Sequence, residues 1–419
     1  MKLKLYTIRL CRKDEYGKLV SFLHDHWNEK HVFVRNKVIF EFQHNTPGEE
    51  YNFVVAVHNQ TGEIHAVLGF ILPETYNHEY GKAPEAVYGA LWKVRDDIDN
   101  NEIGKLGLGV LNFLLKRYSG SDYITLGLSK DSQVIYEALH FDFGKMNHYY
   151  IASKYVDEFV IAQDPVVNHD STINNRFEVK FIDDIPDDFD PYYHPIKNKT
   201  YIENRYINHP FYKYMLLGIY ENNELKTVWI TRKCNVLNSN CLRIIDIVGN
   251  LETIDNIEGN IEVLLKENGA EYIDCYNCGI NKEVFLKIGF KEVTGNTVIP
   301  NYFEPFEKRN VDIHYATYAH RPVVIFKGDG DQDRPNLLEV NMEKSVETRV
   351  KEIIAEILKV DIEEINEDTA IGDIPEWDSL SQIQIISSIE KEFGFNFTPD
   401  VMMDLEDVSD IVAAVEERI

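Results

Sequence analysis

Two stretches of the chain alternate apolar and polar residues on either side of a turn. They are NFVVAVHNQTGEIHAVLGF (52–70), turning at Thr61-Gly62, and KYMLLGIYENNELKTVWIT (213–231), turning at Asn222-Asn223. Period-two alternation around such turn residues predicts a β-hairpin in each. The same order of patterns then follows both hairpins: a strand (AVYGALWKV; CLRIIDIVG), a helical run (VLNFLLKRY; IEVLLKENG), a strand (YITLGL; YIDCYN) and a short helical run (VIYEALHF; VFLKIGF). The two blocks read as degenerate copies of one α/β (α+β) unit, a mixed sheet carrying helices. Loop-like breaks at VNHDSTINN (167–175) and DGDQDRPNLLEVNMEKS (329–345) give expected domains at 1–155 and 175–330. Beyond them the apolar spacing becomes helical, with Leu380, Ile383, Ile386, Ile389 and Phe393 in one series. A small all-α domain of four helices is expected over 343–419.

Composition narrows the classes of partner. A net charge of −27 disfavours nucleic-acid backbones and adsorption to anionic membranes. Residues 341–419 alone hold 6 Lys+Arg against 21 Asp+Glu. No 18-residue apolar run is present and MKLKLYTIRL lacks a signal-peptide centre, so membrane insertion is not expected and the cytoplasm is the expected location. The five cysteines do not make a disulfide framework, and Cys275 and Cys278 lie on a strand-like run where residues three apart face opposite sides. No metal site is expected. His24, His26 and His31 lack a further ligand at suitable spacing. Asp329, Asp331 and Asp333 begin like a calcium loop, but Arg334 and Val340 stand where glycine and glutamate belong.

The segment IGKLGLGV (103–110) falls between a strand and a helix of the first block, so Gly104, Leu106, Gly107, Leu108, Gly109 and Val110 are expected to form a loop whose backbone N–H groups bind a pyrophosphate. This order resembles the GNAT acyltransferase superfamily, whose loop reads Gln/Arg-x-x-Gly-x-Gly/Ala. Gly107 and Gly109 match it, and Gly104 replaces the Gln/Arg. In SKDSQVIYEALHF (129–141), Tyr136 and Phe141 match the superfamily's next signature, whereas Ser129, Ser132 and His140 depart from it. The resemblance implies Tyr136 as the general acid that protonates a thiolate, acyl-CoA or acetyl-CoA as co-substrate, and a water relayed from Asp96 or Asp97 as base. In the second block Ile257 and Gly259 take the places of the loop glycines, Asp255 and Glu258 would repel a phosphate, and Phe285 stands at the tyrosine's position. That copy is expected to be silent.

Near the C-terminus, PEWDSLSQIQII (375–386) opens a helix with Asp378, Ser379 and Leu380. With its flanking helices and acidic loop it resembles an acyl carrier protein, which implies a 4′-phosphopantetheine arm on Ser379 and a phosphopantetheinyl transferase as partner. A phosphodiester there would lie at the positive end of a helix. The helix has only Glu390 and Glu392, with Lys391 between them, so steering of separate partners is weak and a tethered partner is favoured. The combined reading is an acyltransferase fused to its own carrier, acting on a small-molecule amine such as an amino sugar of a bacterial surface polysaccharide or an amino acid. Two alternatives stay open: the GNAT-like half loads its own carrier from acyl-CoA, or it is a non-catalytic scaffold and the carrier serves other biosynthetic enzymes, with separate acyl-loading enzymes as partners.

Overall fold

The computed structural model describes residues 5–98, 100–336, 346–393, 395, 397–402, 405–416 and 418. Contacts divide the chain into Met1–Leu337 and Leu338–Ile419. The larger unit opens with β1 (Tyr6–Arg12), α1 (Tyr16–His26), α2 (Val32–Arg35) and α3 (Lys37–His44). The first hairpin follows as β2 (Glu50–His58) and β3 (Ile64–Ile71), then α4 (Glu74–Asn77), β4 (Ala86–Val94), α5 (Asn100–Arg117), β5 (Asp122–Leu126), α6 (Lys130–Ala138) and β6 (Asp142–Lys145). The second copy runs β7 (Asn147–Ala152), β8 (Phe177–Ile182), α7 (Lys199–Ile202), β9 (Tyr214–Glu221), β10 (Glu224–Val236), β11 (Ser239–Gly249), α8 (Glu258–Asn268), β12 (Tyr272–Cys278), α9 (Lys282–Ile288) and β13 (Lys291–Glu292). A small hairpin of β14 (Tyr302–Phe303) and β15 (Phe306–Glu307) precedes β16 (His314–Tyr318) and β17 (Ile325–Phe326). Both expected hairpins form. Asn222 and Asn223 take φ of 50° and 65°, as a two-residue hairpin turn requires.

The strand orders correct the expected boundaries. One sheet runs β1-β2-β3-β4-β5-β16-β6 and the other β13-β7-β12-β11-β10-β9-β8. β16 belongs to the second copy in sequence, yet it pairs antiparallel with β5 and β6 of the first sheet. β7 follows directly on β6, yet it lies between β12 and β13 of the second. Each copy thus gives its partner the strand that completes it, and residues 1–337 cluster as one compact unit across the expected boundaries at 155 and 175. The core agrees: Tyr88, Ile124 and Leu126 of the first sheet share one cluster with Leu216, Val228, Ile230 and Ile245 of the second. Outer clusters hold α5 and α6 on the first sheet and α8 and α9 on the second.

The smaller unit has α10 (Val346–Leu358), α11 (Ser379–Phe393), α12 (Pro399–Met402) and α13 (Val408–Glu416), which is the expected four-helix count. The boundary expected at 343 lies outside the described residues. Val350, Ile354, Trp377, Ile385, Ile389, Ile411 and Val415 form its core. The apolar series on α11 splits: Ile386 and Ile389 are buried, but Leu380 and Ile383 are 66% and 67% exposed. Burying such a side chain contributes about 1.5–3 kcal/mol, so leaving two outside costs stability that docking on an apolar surface would recover.

The exchange predicts that neither half folds alone. Fragments 1–155 and 156–337 expressed separately should show no cooperative melt by circular dichroism, whereas co-expression should give one complex with a single transition. A cooperative melt of 1–155 alone would contradict the exchange.

Candidate active site and carrier site

β4 and β5 are parallel and paired from Ala86↔Asp122 to Gly89↔Thr125, and there the pairing stops. β4 continues to Val94, paired among the described residues with β3 alone, so its other edge and the end of β5 bound a wedge with Gly89 at the vertex. A glycine inside a strand marks close approach. A Cβ at Gly89 would lie 2.1 Å from the Tyr123 hydroxyl, which occupies the face of the vertex. Tyr123 Oη and Tyr136 Oη are 2.8 Å apart, and Tyr136 is 1% exposed. Burial pushes Tyr136 up to about 12, while hydrogen bonds with the Tyr123 and Thr125 hydroxyls pull the other way. Beside them, the Trp92 ring packs 5.7 Å from that of Tyr136, and its Nε1 is buried without a partner. The structure therefore joins Tyr136 to residues that the sequence analysis did not single out: Gly89, Tyr123 and Trp92. The glycine within AVYGALWKV was the available signal.

The glycine segment is corrected. Gly104, Leu106, Gly107, Leu108, Gly109 and Val110 lie inside α5, which begins at Asn100. Their N–H groups fall beyond the four that a helix N-terminus leaves unpaired, so they make no phosphate-binding loop. Leu106 and Val110 are core residues, Leu108 is exposed, and Gly107 packs against Val94 and Trp92, where a Cβ would have contacts of 3.5 and 3.6 Å. Of these glycines, Gly107 faces β4 and Gly104 faces open space. Asp96 is also displaced from its expected role: it lies roughly 20 Å along the strand direction from Gly89, is exposed, and pairs with Lys93 at 2.7 Å. Asp97 is held well below the usual carboxylate range by Arg95. Neither acid joins the tyrosines. At His140, where the superfamily pattern has glycine, φ is +58°. Ser129 caps α6 by accepting from Ser132 N–H.

The second copy is blocked at both corresponding places. β11 and β12 part after Ile244↔Cys275, and β17 enters that wedge, pairing Phe326 with Asn277 and Ile325 with Cys278. Gly328 N–H donates to Ile245 C=O at 2.8 Å, closing the other side. Lys197, buried, binds Asp246 at 2.8 Å and Asp329 at 3.1 Å and ties the segment down. At the start of α8, residues 172–173 lie on Gly259, where a Cβ would be 2.0 Å from Thr172 C=O. Phe285 stacks on Tyr149. In the first wedge the counterpart contact is a side chain, Gln332 Nε2 donating to Leu126 C=O at 3.4 Å. His31 is buried against Arg334, 3.1 Å from its guanidinium, while His24 is exposed and His26 half-buried.

On the smaller unit, Ser379 is exposed at the first position of α11. The Asp378 carboxylate accepts from Leu380 N–H and Ser381 N–H, both at 2.9 Å, and these bonds hold it below its ordinary range. Asp378 already takes those two donors, so a phosphodiester on Ser379 would lie at the positive end of α11 beside the capped turn. Trp377 Nε1 donates to Gln382 Oε1 and Gln382 Nε2 to Leu405 C=O, fixing the turn from inside. An exposed hydroxyl on a rigid turn fits covalent attachment of an arm. Glu390 accepts from Phe397 N–H and Glu392 pairs with Arg349. The exposed side chains nearest Ser379 on α11 are thus apolar ones, Leu380 and Ile383.

Comparison with known proteins agrees with this geometry. The phosphopantetheine attachment site family matches residues 348–415. Over 74 residues the chain is 34% identical to the acyl carrier protein of Solidesulfovibrio magneticus, covering 95% of that protein and 18% of this chain. It is 32% identical to the acyl carrier protein of Chlamydia caviae, covering 96% and 18%. Through this segment the chain belongs to the acyl carrier protein family. A solved GCN5-related N-acetyltransferase from Anabaena variabilis aligns with 74% of this chain and 72% of its own at 9% identity and a TM-score of 0.46, a distance at which neither activity nor site carries over. Among the described residues no helix is long and apolar enough to cross a membrane.

Because Gly104 is helical and a Cβ there meets nothing within 4 Å, Gly104→Ala should raise stability by up to about 1 kcal/mol. Denaturant melts would check this, and a destabilised variant would indicate a loop instead.

Proposed function

We propose that this protein is an acyltransferase in which the first half moves an acyl group from the arm of the fused carrier to a small-molecule amine. The observation that carries the reading is the contrast of the two wedges: the chain itself fills the one beyond Ile244, whereas the edge of β4 beyond Gly89 pairs with no strand among the described residues. A free strand edge offers backbone N–H and C=O groups to an extended amide-bearing ligand. The orphan indole N–H of Trp92 offers one donor more. Bound at Ser379, 4′-phosphopantetheine would supply a thiol that holds the acyl group as a thioester. The carrier is a better donor here than acyl-CoA, because the glycine segment is helical and Asp96 and Asp97 stand between β4 and α5.

In the transfer a C–N bond forms, the C–S bond breaks, the amine nitrogen loses a proton and the sulfur gains one. The Tyr136–Tyr123 pair is the hydroxyl donor at the vertex. Complete proton transfer from a phenol near 12 to a thiolate near 8.5 would cost about 5 kcal/mol. The pair therefore acts by donating a hydrogen bond to the sulfur as charge develops, a contribution of about tenfold to a hundredfold in rate. The second half then serves as support, contributing β16 to the first sheet.

Thioester loss from the acyl-loaded full chain, followed by intact mass across a panel of small amines, tests this. Tyr136→Phe should slow amine-dependent loss by at least tenfold, whereas Phe285→Tyr should leave the rate unchanged. An unaltered rate in Tyr136→Phe, with the melting temperature preserved, would favour a non-catalytic scaffold.

A further inference from the structure

A cavity of about 320 Å³ lies between α4, the loop leading into β4, and residues 195–198 of the second half. Glu74, Glu79 and Glu85 line it with Lys82, Asn77 and Asn198. The carboxylates are not equivalent. Glu79 pairs with Lys82 at 3.3 Å. Glu85 pairs with Arg321 at 3.3 Å, stands 3.4 Å from His194 Nδ1, and accepts from Ile196 N–H. Glu74 has no cation paired with it among the described residues. It is 8% exposed, its own backbone N–H donates to the carboxyl, and Oε2 is buried without a partner among the described residues. A buried polar atom left unmet is unfavourable, so the site calls for a hydrogen-bond donor. Three carboxylates against one lysine line the cavity, so a cationic donor would answer both the unmet oxygen and the excess of negative charge. The volume is near the lower end for small-molecule sites.

We propose that this cavity binds the primary ammonium group of a small molecule, with Glu74 as the carboxylate that receives it. The site is at the start of β4, roughly 10 Å along the strand from the Gly89 vertex, so its occupancy is separate from transfer and can be measured without it. The charged and titratable groups around Glu74 are Glu79, Lys82 and Glu85, which line the same cavity, Tyr80, and Tyr118 just after α5. Burial first, then the like charges of Glu79 and Glu85, raise Glu74 to about 7. Ammonium binding would pull it back down and release a proton. Affinity should therefore weaken as pH falls from 7 to 5, where the carboxyl must first be deprotonated.

Titration calorimetry of the full chain with butylamine, and with butanol as an uncharged match, tests the proposal. Butylamine should bind at millimolar concentration or tighter and butanol should not. Glu74→Gln should lose at least tenfold in affinity, and proton release should appear at pH 6 as a dependence of the heat on buffer ionisation. The pH dependence in the unaltered chain stands whether or not the variant folds. Equal binding of butylamine and butanol, unchanged butylamine affinity in Glu74→Gln, or affinity that strengthens toward pH 5 would each overturn the assignment. Loss of Tyr136-dependent transfer with butylamine binding intact would count against the acyltransfer reading alone.

Discussion

The backbone pairing of β16 with β5 and β6 is the constraint from which the larger unit follows. By delivering residues 314–318 to the first sheet, it fixes where the next segment must run. Residues 325–334 then return across the shared core, so that Ile325–Gly328 close the second wedge and Gln332 reaches the first. The reciprocal placement of β7 completes the second sheet. A single exchange thus fuses two sheets and leaves them unequal.

The inequality is maintained by buried charge. Lys197 is held between Asp246 and Asp329, with the Tyr206 hydroxyl donating to Asp246 at 2.6 Å. Arg232 and Asp333 form a second buried pair, which Tyr214 joins by donating to Asp333. Burying ions costs several kcal/mol each unless every partner is present, so such groups specify one path for the segment more than they add stability. In the second half the wedge is thereby filled by the chain itself. On the smaller unit the corresponding economy is polar: Asp378 and Trp377 hold the turn rigid while Ser379, Leu380 and Ile383 face outward.

Local features were legible in the sequence, and partners were not. Asn222-Asn223 specified its hairpin because few residues tolerate two successive positive φ values. Asp378-Ser379 specified a helix start, because a carboxylate there finds free N–H groups. A strand-like run reveals a strand without naming the sheet it joins, so the exchange of β7 and β16 stayed hidden. The segment 104–109 misled for a related reason: glycine is a poor helix former, but Leu106, Val110, Leu111 and Leu114 bury one face against the first sheet and tertiary packing overrode propensity. Spacing on α11 could not show that Leu380 and Ile383 lie outside the core, because the helix is short of cover at its first turns. Tyr136 was found through a resemblance, whereas its partner Tyr123 needed the register that sets it over Gly89.

The most direct test of a carrier acting with its own transferase is the intact mass of the full chain co-expressed with a phosphopantetheinyl transferase, loaded with an acyl group and then given an amine. The account predicts a phosphopantetheine increment that Ser379→Ala abolishes, followed by an acyl increment that disappears on amine addition without any added enzyme. An increment that survives Ser379→Ala, or an acyl group that persists in the presence of every amine offered, would contradict it.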